Sequence, residues 1–339
     1  VKRQSLYFHS PRHVEIREER ISEPGRGQVL VAALVSAISP GTEMLVYRGE
    51  APADMPADET ISALSGQLAF PLKYGYALVG RVTALGPGVD PAWENRLVFT
   101  FHPHESHFLA SLTELIPVPA GLSPEQGVFL PNMETAVNLV HDGRPLLGEQ
   151  VLIFGQGVVG LLTSALLVSY PLRTILAFDR YETRRAASLG LGVHHALGPD
   201  QHEEAQAFLA ADREYPFADL SFELSGAPAA LNQAIALTGF GGRIVIGSWY
   251  GIKQAALNLG GRFHRSRITL ISSQVTTLNP ELSGRWSKAR RINAAWDQIK
   301  RVCPERFITH RFPFEQAPSA YQLLDEAPTD AIQVLLTYP

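Results

Sequence analysis

Residues 150–179 combine a short apolar strand, the glycine turn Gly155-Gln156-Gly157-Val158-Val159-Gly160, an apolar helix, a second strand and an acidic residue at its tip. That order suits the holding of a dinucleotide. Gly155 permits a tight turn out of the strand, Gly157 lets a pyrophosphate approach the main chain, and Gly160 lets the helix pack close to the sheet. The N–H groups and positive dipole end of the helix then face the phosphates. Asp179, 24 residues after Gly155, stands where a carboxylate accepts hydrogen bonds from both ribose hydroxyls. It would repel a 2′-phosphate, so NAD(H) is the expected coenzyme, while Arg180, Arg184 and Arg185 leave NADP(H) open. Arg184 and Arg185 otherwise read as helix-surface charges. Ser225, Gly226, Gly247 and Ser248 fall at the carboxyl ends of two later strands, where the nicotinamide half should lie.

A doubly wound parallel sheet must present these residues. From residue 150 onward strand-like stretches at 151–154, 174–178, 193–197, 220–224, 243–247 and 268–272 alternate with helical ones, an α/β arrangement. Upstream, residues 5–120 are β-rich, with runs at 28–36, 77–85, 96–101 and 106–111 between Gly, Pro and Asn. They imply a partly open β-barrel-like domain. Ser123-Pro-Glu-Gln has the form of a capped helix start, and the apolar spacing from 128 to 140 is helical. Beyond about residue 275 a helix over 287–302 precedes a final strand near 331–337. The expected division is 1–120 completed by 275–339 as one domain and 121–274 as the other, with a ligand cleft between them.

Composition fits that scheme. At 339 residues the chain exceeds what one ordinary core serves, which favours two domains. Its 45% hydrophobic and 18% charged content is that of a soluble globular protein. A net charge of −4 and a pI near 6.3 offer no basic footprint for nucleic acid. The apolar runs are too short or too interrupted to span a bilayer, and the opening residues lack the long apolar stretch of a signal peptide. Cys303, the only cysteine, cannot form an internal disulfide. The expectation is a cytoplasmic protein acting on a small molecule, with neither nucleic acid nor membrane as partner.

Several further segments are informative as an ordered set: Gly75 with Val79-Gly80, Gly86-Pro-Gly-Val, Arg96-Leu-Val, the glycine turn, Phe222-Glu-Leu-Ser-Gly, and Gly241-Gly-Arg-Ile-Val-Ile-Gly. Through them the chain resembles the medium-chain dehydrogenase/reductase superfamily over essentially its whole length. Ile38-Ser-Pro-Gly-Thr-Glu43 and Gly261-Arg-Phe-His-Arg-Ser-Arg267 look like the branch that includes bacteriochlorophyllide dehydrogenases. The resemblance implies a Rossmann sheet joined to a GroES-like domain, with hydride moving to or from C4 of a nicotinamide. It also implies a homodimer in which the strand 268–272 continues the sheet across a two-fold axis.

The chain departs from that superfamily at the metal. In the zinc alcohol dehydrogenases a cysteine, the histidine of a Gly-His-Glu triplet and a later cysteine or glutamate hold the catalytic ion. The matching stretches here are Ile38-Ser39-Pro40, Gly75-Tyr76-Ala77 and Leu130-Pro131-Asn132. A four-cysteine structural zinc lobe cannot be built from Cys303. Neither zinc is therefore expected.

Without a metal, developing alkoxide or enolate charge must be met by hydrogen-bond or proton donors. Tyr76, at the place of the metal-binding histidine, is the first candidate; a tyrosine there can equally well just line the cleft. Thr42 falls where the zinc enzymes carry a proton-relay hydroxyl, or else caps a turn or helix together with Ser39 and Glu43. Glu134 either orients a donor or the nicotinamide, or is a buried carboxylate held in structural hydrogen bonds. His102, His104 and His107 have a metal-like look. On a strand, however, His102 and His104 share a face and His107 turns away, which favours a polar wall over a metal site. His264 and its neighbouring arginines read as a polar wall near the ligands or as a solvated basic loop. Three functions stay open: a zinc-independent oxidoreductase acting on a carbonyl or alcohol, a quinone or enone reductase, and a nucleotide-binding protein that has lost catalysis. The long loops 50–72 and 276–286 do not specify a substrate.

Overall fold

The computed structural model describes residues 2–58, 61–64, 66–211 and 214–339. Residues 59, 60 and 65 of the loop 50–72 lie outside the described residues. The chain separates into two compact units, Val1–Pro131 with Cys303–Pro339, and Asn132–Val302. These boundaries differ from the expected ones, because residues 121–131 stay with the first unit and 275–302 with the second.

The first unit begins with an antiparallel hairpin, β1 (Lys2–Ser10) and β2 (His13–Arg20). β3 (Gln28–Ile38) follows, and its almost uninterrupted run of small and β-branched apolar residues suits a strand buried on both faces. Helix α1 (Thr42–Arg48) comes next and is closed by Gly49 in the left-handed conformation. Then come β4 (Leu78–Leu85), β5 (Leu97–Thr100), β6 (His107–Ser111), β7 (Ile116–Pro117) and the short helix α2 (Pro124–Gly127). The expected capping box is present: Ser123 Oγ accepts the Gln126 N–H, and Gln126 returns a side-chain bond to the Ser123 N–H. Helix α3 (Leu130–Gly143) carries the chain into the second unit.

In the second unit strands and helices alternate as β8 (Gln150–Phe154), α4 (Val158–Leu167), β9 (Thr174–Phe178), α5 (Glu182–Gly190), β10 (His195–Leu197), α6 (His202–Leu209), β11 (Ala218–Glu223), α7 (Ala229–Leu237), β12 (Thr238–Ile246) and β13 (Thr269–Ser272). Helix α8 (Lys288–Val302) closes the unit. All six strands are parallel, in the order β10-β9-β8-β11-β12-β13. This is the Rossmann order, and it reverses direction at β8, so the crevice at the carboxyl end of β8 is where a ligand belongs. Leu152, Phe154, Leu176 and Phe178 pack with Leu231 and Ile235 of α7 in one buried cluster. β12 begins at Thr238, five residues before the expected start.

The chain then returns to the first unit as β14 (Ile308–Pro313), α9 (Ala317–Glu326) and β15 (Gln333–Thr337). The resulting sheet runs β14-β15-β3-β4-β5-β7, with β6 also paired to β3. Its core holds Val29, Val31, Leu78, Val82, Val98 and Phe108. Among the described residues no helix is long and apolar enough to cross a membrane.

Candidate functional site

The glycine turn has the construction that a pyrophosphate needs. Gly155 has φ +93, and a Cβ there would stand 2.6 Å from the carbonyl oxygen of Leu224 and from the Ser225 backbone. A Cβ on Gly160 would lie 2.0 Å from the Gly155 carbonyl oxygen, so this glycine lets α4 sit against the turn. Gly157 is different: apart from its immediate chain neighbours, nothing lies within 4 Å of where its Cβ would be. It occupies the N-cap position of α4, and no side chain caps that end. The backbone N–H groups of Val158 and Val159 are thus on the first turn of a helix whose mouth is unobstructed by side chains, the arrangement that receives phosphate oxygens.

Asp179, at the tip of β9, does more than the sequence reading assigned to it. Its carboxylate accepts the Gln156 N–H at 2.7 Å and the Tyr181 N–H at 2.8 Å, so it ties the glycine turn to the following loop. The Gln156 side chain turns inward, donating to the Gly155 carbonyl at 3.1 Å and accepting from Ser164 Oγ at 2.9 Å. Arg184 and Arg185 are not plain helix-surface charges. Arg184 Nη1 lies 3.9 Å from Asp179 Oδ2, and Arg185 Nη1 donates to the Asp179 carbonyl at 2.8 Å. The Arg180 and Arg184 guanidinium groups lie 4.6 Å and 4.8 Å from the centre of the Tyr181 ring.

Ser225, Gly226, Gly247 and Ser248 are placed together at the carboxyl edge of β11 and β12. The Gly226 N–H donates to Ser248 Oγ at 2.9 Å, and the Ser225 N–H donates to buried Glu223 at 2.8 Å. Gly247 lies so close to Leu139 and Leu224 that a Cβ would meet them at 2.6 Å and 2.7 Å. The loop around His264 is elsewhere. Arg262 donates to the Thr238 carbonyl at 3.0 Å, and the Gly241 N–H donates to the Ser266 carbonyl at 2.7 Å. Those partners belong to the amino-terminal half of β12, remote from the carboxyl edge, which removes the polar-wall reading of that loop.

In the first unit, Tyr76 donates its phenol to Ser39 Oγ at 2.7 Å. Burial first, then the negative charge of Glu43, push this phenol up to about 12, while its hydrogen bonds with Ser39 and Thr42 pull the other way. It is therefore a protonated donor at neutral pH. Thr42 is not a helix cap. Gly41 holds that position, and Thr42 is the first residue of α1, its N–H donating to Ser39 Oγ at 3.3 Å.

The three histidines separate, because residues 102–104 are not in a strand. His102 Nε2 sits 3.0 Å from Glu105, whose carboxylate also takes Lys73 at 2.6 Å and Arg3 at 3.1 Å. Burial alone would raise Glu105, but His102 and Lys73 outweigh it and bring the carboxyl down to about 2. His104 points instead to Glu43 at 2.9 Å, and His107 to Ser106 Oγ at 3.2 Å.

Glu134 is committed to Arg291, which has no solvent exposure. Arg291 Nε donates to Glu134 Oε1 at 3.0 Å, and Nη1 donates to Asn138 Oδ1 at 2.6 Å and to the Thr277 carbonyl at 3.0 Å. Its Nη2 also reaches the Val275 carbonyl. Burial lifts the Glu134 carboxyl above its usual range, and Arg291 offsets this only in part. One guanidinium thus fastens α8, α3 and the chain after β13 together. Sequence reading did not identify Arg291; a lone arginine among the apolar positions of the α8 pattern was the available signal.

The donors required for zinc do not fit. Ser39 and Tyr76 are hydrogen-bonded to each other, and neither they, Pro40 nor Asn132 is among the thiolate, imidazole and carboxylate donors that zinc takes. Among the described residues no cluster of three His, Cys, Asp or Glu side chains is spaced to hold a metal ion.

Comparison with known proteins gives consistent relatives. The family described as "Zinc-binding dehydrogenase" matches residues 158–292. The uncharacterized zinc-type alcohol dehydrogenase-like protein YphC of Escherichia coli strain K12 is 25% identical, across 94% of this chain and 95% of its own length. The 2-desacetyl-2-hydroxyethyl bacteriochlorophyllide A dehydrogenase of Rhodobacter capsulatus is 22% identical, across 99% and 98%. Among solved structures, the alcohol dehydrogenase rspB of Escherichia coli CFT073 in complex with NADH superimposes with a TM-score of 0.79 at 19% identity, across 99% of both chains.

Proposed function

We propose that this chain, which is similar to zinc-type alcohol-dehydrogenase-like members of the medium-chain dehydrogenase/reductase superfamily, is an oxidoreductase that uses NAD(H) and moves hydride to or from a carbonyl or alcohol carbon without zinc. The Ser39–Tyr76 hydrogen bond carries the metal-free part of this reading. By the sequence resemblance these two hydroxyls stand at positions where the zinc enzymes carry metal donors, and one of them is a phenol that stays protonated at neutral pH.

A bound nicotinamide supplies or takes the hydride at its ring C4. Gly157 and the first turn of α4 hold the pyrophosphate, and Asp179 takes the ribose hydroxyls with the lone pairs its backbone bonds leave. NADH is preferred, because a 2′-phosphate would be brought against the Asp179 carboxylate. On substrate binding the single phenol hydrogen of Tyr76 turns from Ser39 Oγ to the substrate oxygen, donating a hydrogen bond and then the proton as charge develops there, while the Ser39 hydroxyl turns to donate to the phenol oxygen and, with Thr42, holds it in place. Such a donor serves an enolate as well as an alkoxide, so turnover of a simple ketone against a cyclic enone decides between the two substrate classes.

Tyr76→Phe tests the assignment. Turnover is expected to fall about a hundredfold or more, with NADH affinity unchanged; full turnover in the variant would exclude the phenol as the donor. Stereospecific deuteride transfer from labelled NADH to any ketone, quinone or enone would reject a purely nucleotide-binding role.

β13 is the edge of the second unit's sheet, and its residues are only partly covered. This supports a homodimer in which that strand pairs with its mate across a two-fold axis. The expected mass in solution is twice 37.1 kDa, and a monomer mass at all concentrations would contradict it.

A further inference from the structure

Beneath the Ser39–Tyr76 contact is an acid–imidazole pair, Glu43 and His104, both with no solvent exposure. Glu43 Oε1 accepts the Ser39 N–H at 2.9 Å, while Oε2 accepts the Tyr321 hydroxyl at 2.6 Å and lies 2.9 Å from His104 Nε2. His104 Nδ1 is 2.7 Å from Ser36 Oγ, itself 2.9 Å from the Tyr338 hydroxyl. With Tyr338 donating to Ser36, Ser36 to Nδ1 and Nε2–H to Glu43, each of these hydrogens has an acceptor. Tyr321 is itself fixed, stacked on Tyr47 at 5.3 Å and edge-on to Phe8 at 5.2 Å.

Two contacts join this pair to the donor site. Glu43 grips the main chain of Ser39, the residue that accepts from Tyr76. The His104 ring packs on Gly75, whose φ is +115, and a Cβ there would lie 2.6 Å from His104 Cδ2. Gly75 immediately precedes Tyr76, so the imidazole is the floor of the turn that presents the phenol. Stability alone gives little reason for burying such a pair, since well-packed apolar residues of similar volume often do as well or better.

We propose that Glu43 and His104 are positioning residues for the Tyr76 donor: Glu43 anchors Ser39, His104 supports the Gly75 turn, and together they impose the local geometry that a bound metal imposes in the zinc enzymes. The proposal rests on the metal-free reading above. Neither residue touches substrate; each acts through its neighbour.

The test uses the full chain labelled with tyrosine carrying 13C at the phenolic carbon, the Tyr76 signal being assigned by its loss in Tyr76→Phe. In His104→Ala the Tyr76 signal is expected to move, and kcat with the ketone, quinone or enone that the wild type reduces fastest to fall between about tenfold and a hundredfold while KM for NADH holds. Glu43→Ala should behave likewise. Glu43→Gln should recover most of that loss, because its amide oxygen still takes the Ser39 N–H and its amide N–H groups can serve Tyr321 and the other His104 tautomer. If His104→Ala does not fold, His104→Gln carries the same readouts. An unmoved Tyr76 signal with unchanged kcat, whatever the melting temperature does, would overturn the positioning role. Should Tyr76→Phe keep full turnover, the donor reading fails on its own, and the Tyr76 signal in the His104 variants still decides whether the pair holds the turn.

Discussion

Gly157→Asp is expected to leave the melting temperature unchanged or slightly raised while weakening NADH binding at least about a hundredfold, about 2.7 kcal/mol. The two halves of that result come from one geometry. Gly157 sits at the N-cap of α4 with φ −67 and ψ −176, a conformation open to any residue, and its Cβ would enter empty space. Aspartate is among the best N-cap residues, so the helix gains a partner for its first-turn N–H groups. Those same N–H groups are the ones a pyrophosphate requires, and the new carboxylate adds repulsion. Calorimetric titration with NADH, beside a thermal melt, checks both halves. Undiminished affinity would mean that the coenzyme lies elsewhere. A Cβ at Gly160 would instead strike the Gly155 carbonyl at 2.0 Å, so Gly160→Ala damages the turn itself and cannot separate binding from folding.

Arg291→Met should be the most destabilising single change in the second unit, at about 3–5 kcal/mol. The substitution leaves Glu134, only 2% exposed, without its cation, and leaves the Asn138 side chain and the Val275 and Thr277 carbonyls without their donor. For a unit of this size the melting temperature should fall by roughly 10 °C. Removing both charges, as Arg291→Met with Glu134→Leu, should restore much of the loss, because an apolar pair incurs no cost for a stranded charge. Equal melting of wild type and Arg291→Met would show that the clamp contributes nothing; a double variant worse than the single one would show that Glu134 has a task beyond pairing. The second outcome would return Glu134 to the list of groups that orient a ligand.

How much of this was legible in the chain depends on the range over which each feature is encoded. The glycine turn, its flanking strands and Asp179 lie within 150–179, and each residue type there has a local steric or electrostatic reason, so they could be read directly. The capping box at Ser123 is likewise written in four residues. β14 and α9 escaped notice because Pro313 and Pro318 punctuate the stretch, although Ala317, Ala320, Tyr321 and Leu324 of α9 do recur at helical spacing. α1 has seven residues, five of them buried, so it shows no amphipathic stripe. The side-chain networks were the least legible. Glu134 meets Arg291 across 157 positions and Glu43 meets His104 across 61, and nothing local to either member announces its partner. The histidines show the cost of a wrong local premise, since treating 102–107 as one strand grouped His102 with His104, whereas the irregular backbone sends them to different carboxylates. Tyr76 was singled out by its match to the metal-binding histidine of the zinc enzymes, but its partner Ser39 emerged as an acceptor only in three dimensions.

Titration of NADH into protein whose zinc content has been measured in the same sample, followed by the coenzyme's fluorescence, joins the coenzyme site and the metal-free corner in one experiment. Saturable binding of one NADH per chain, tighter than NADPH, by protein holding well under about one zinc per ten chains is the predicted result, since neither the Gly157 cradle nor the Ser39–Tyr76 corner calls for a metal. No binding of either coenzyme, or stoichiometric zinc whose removal abolishes turnover, would contradict it.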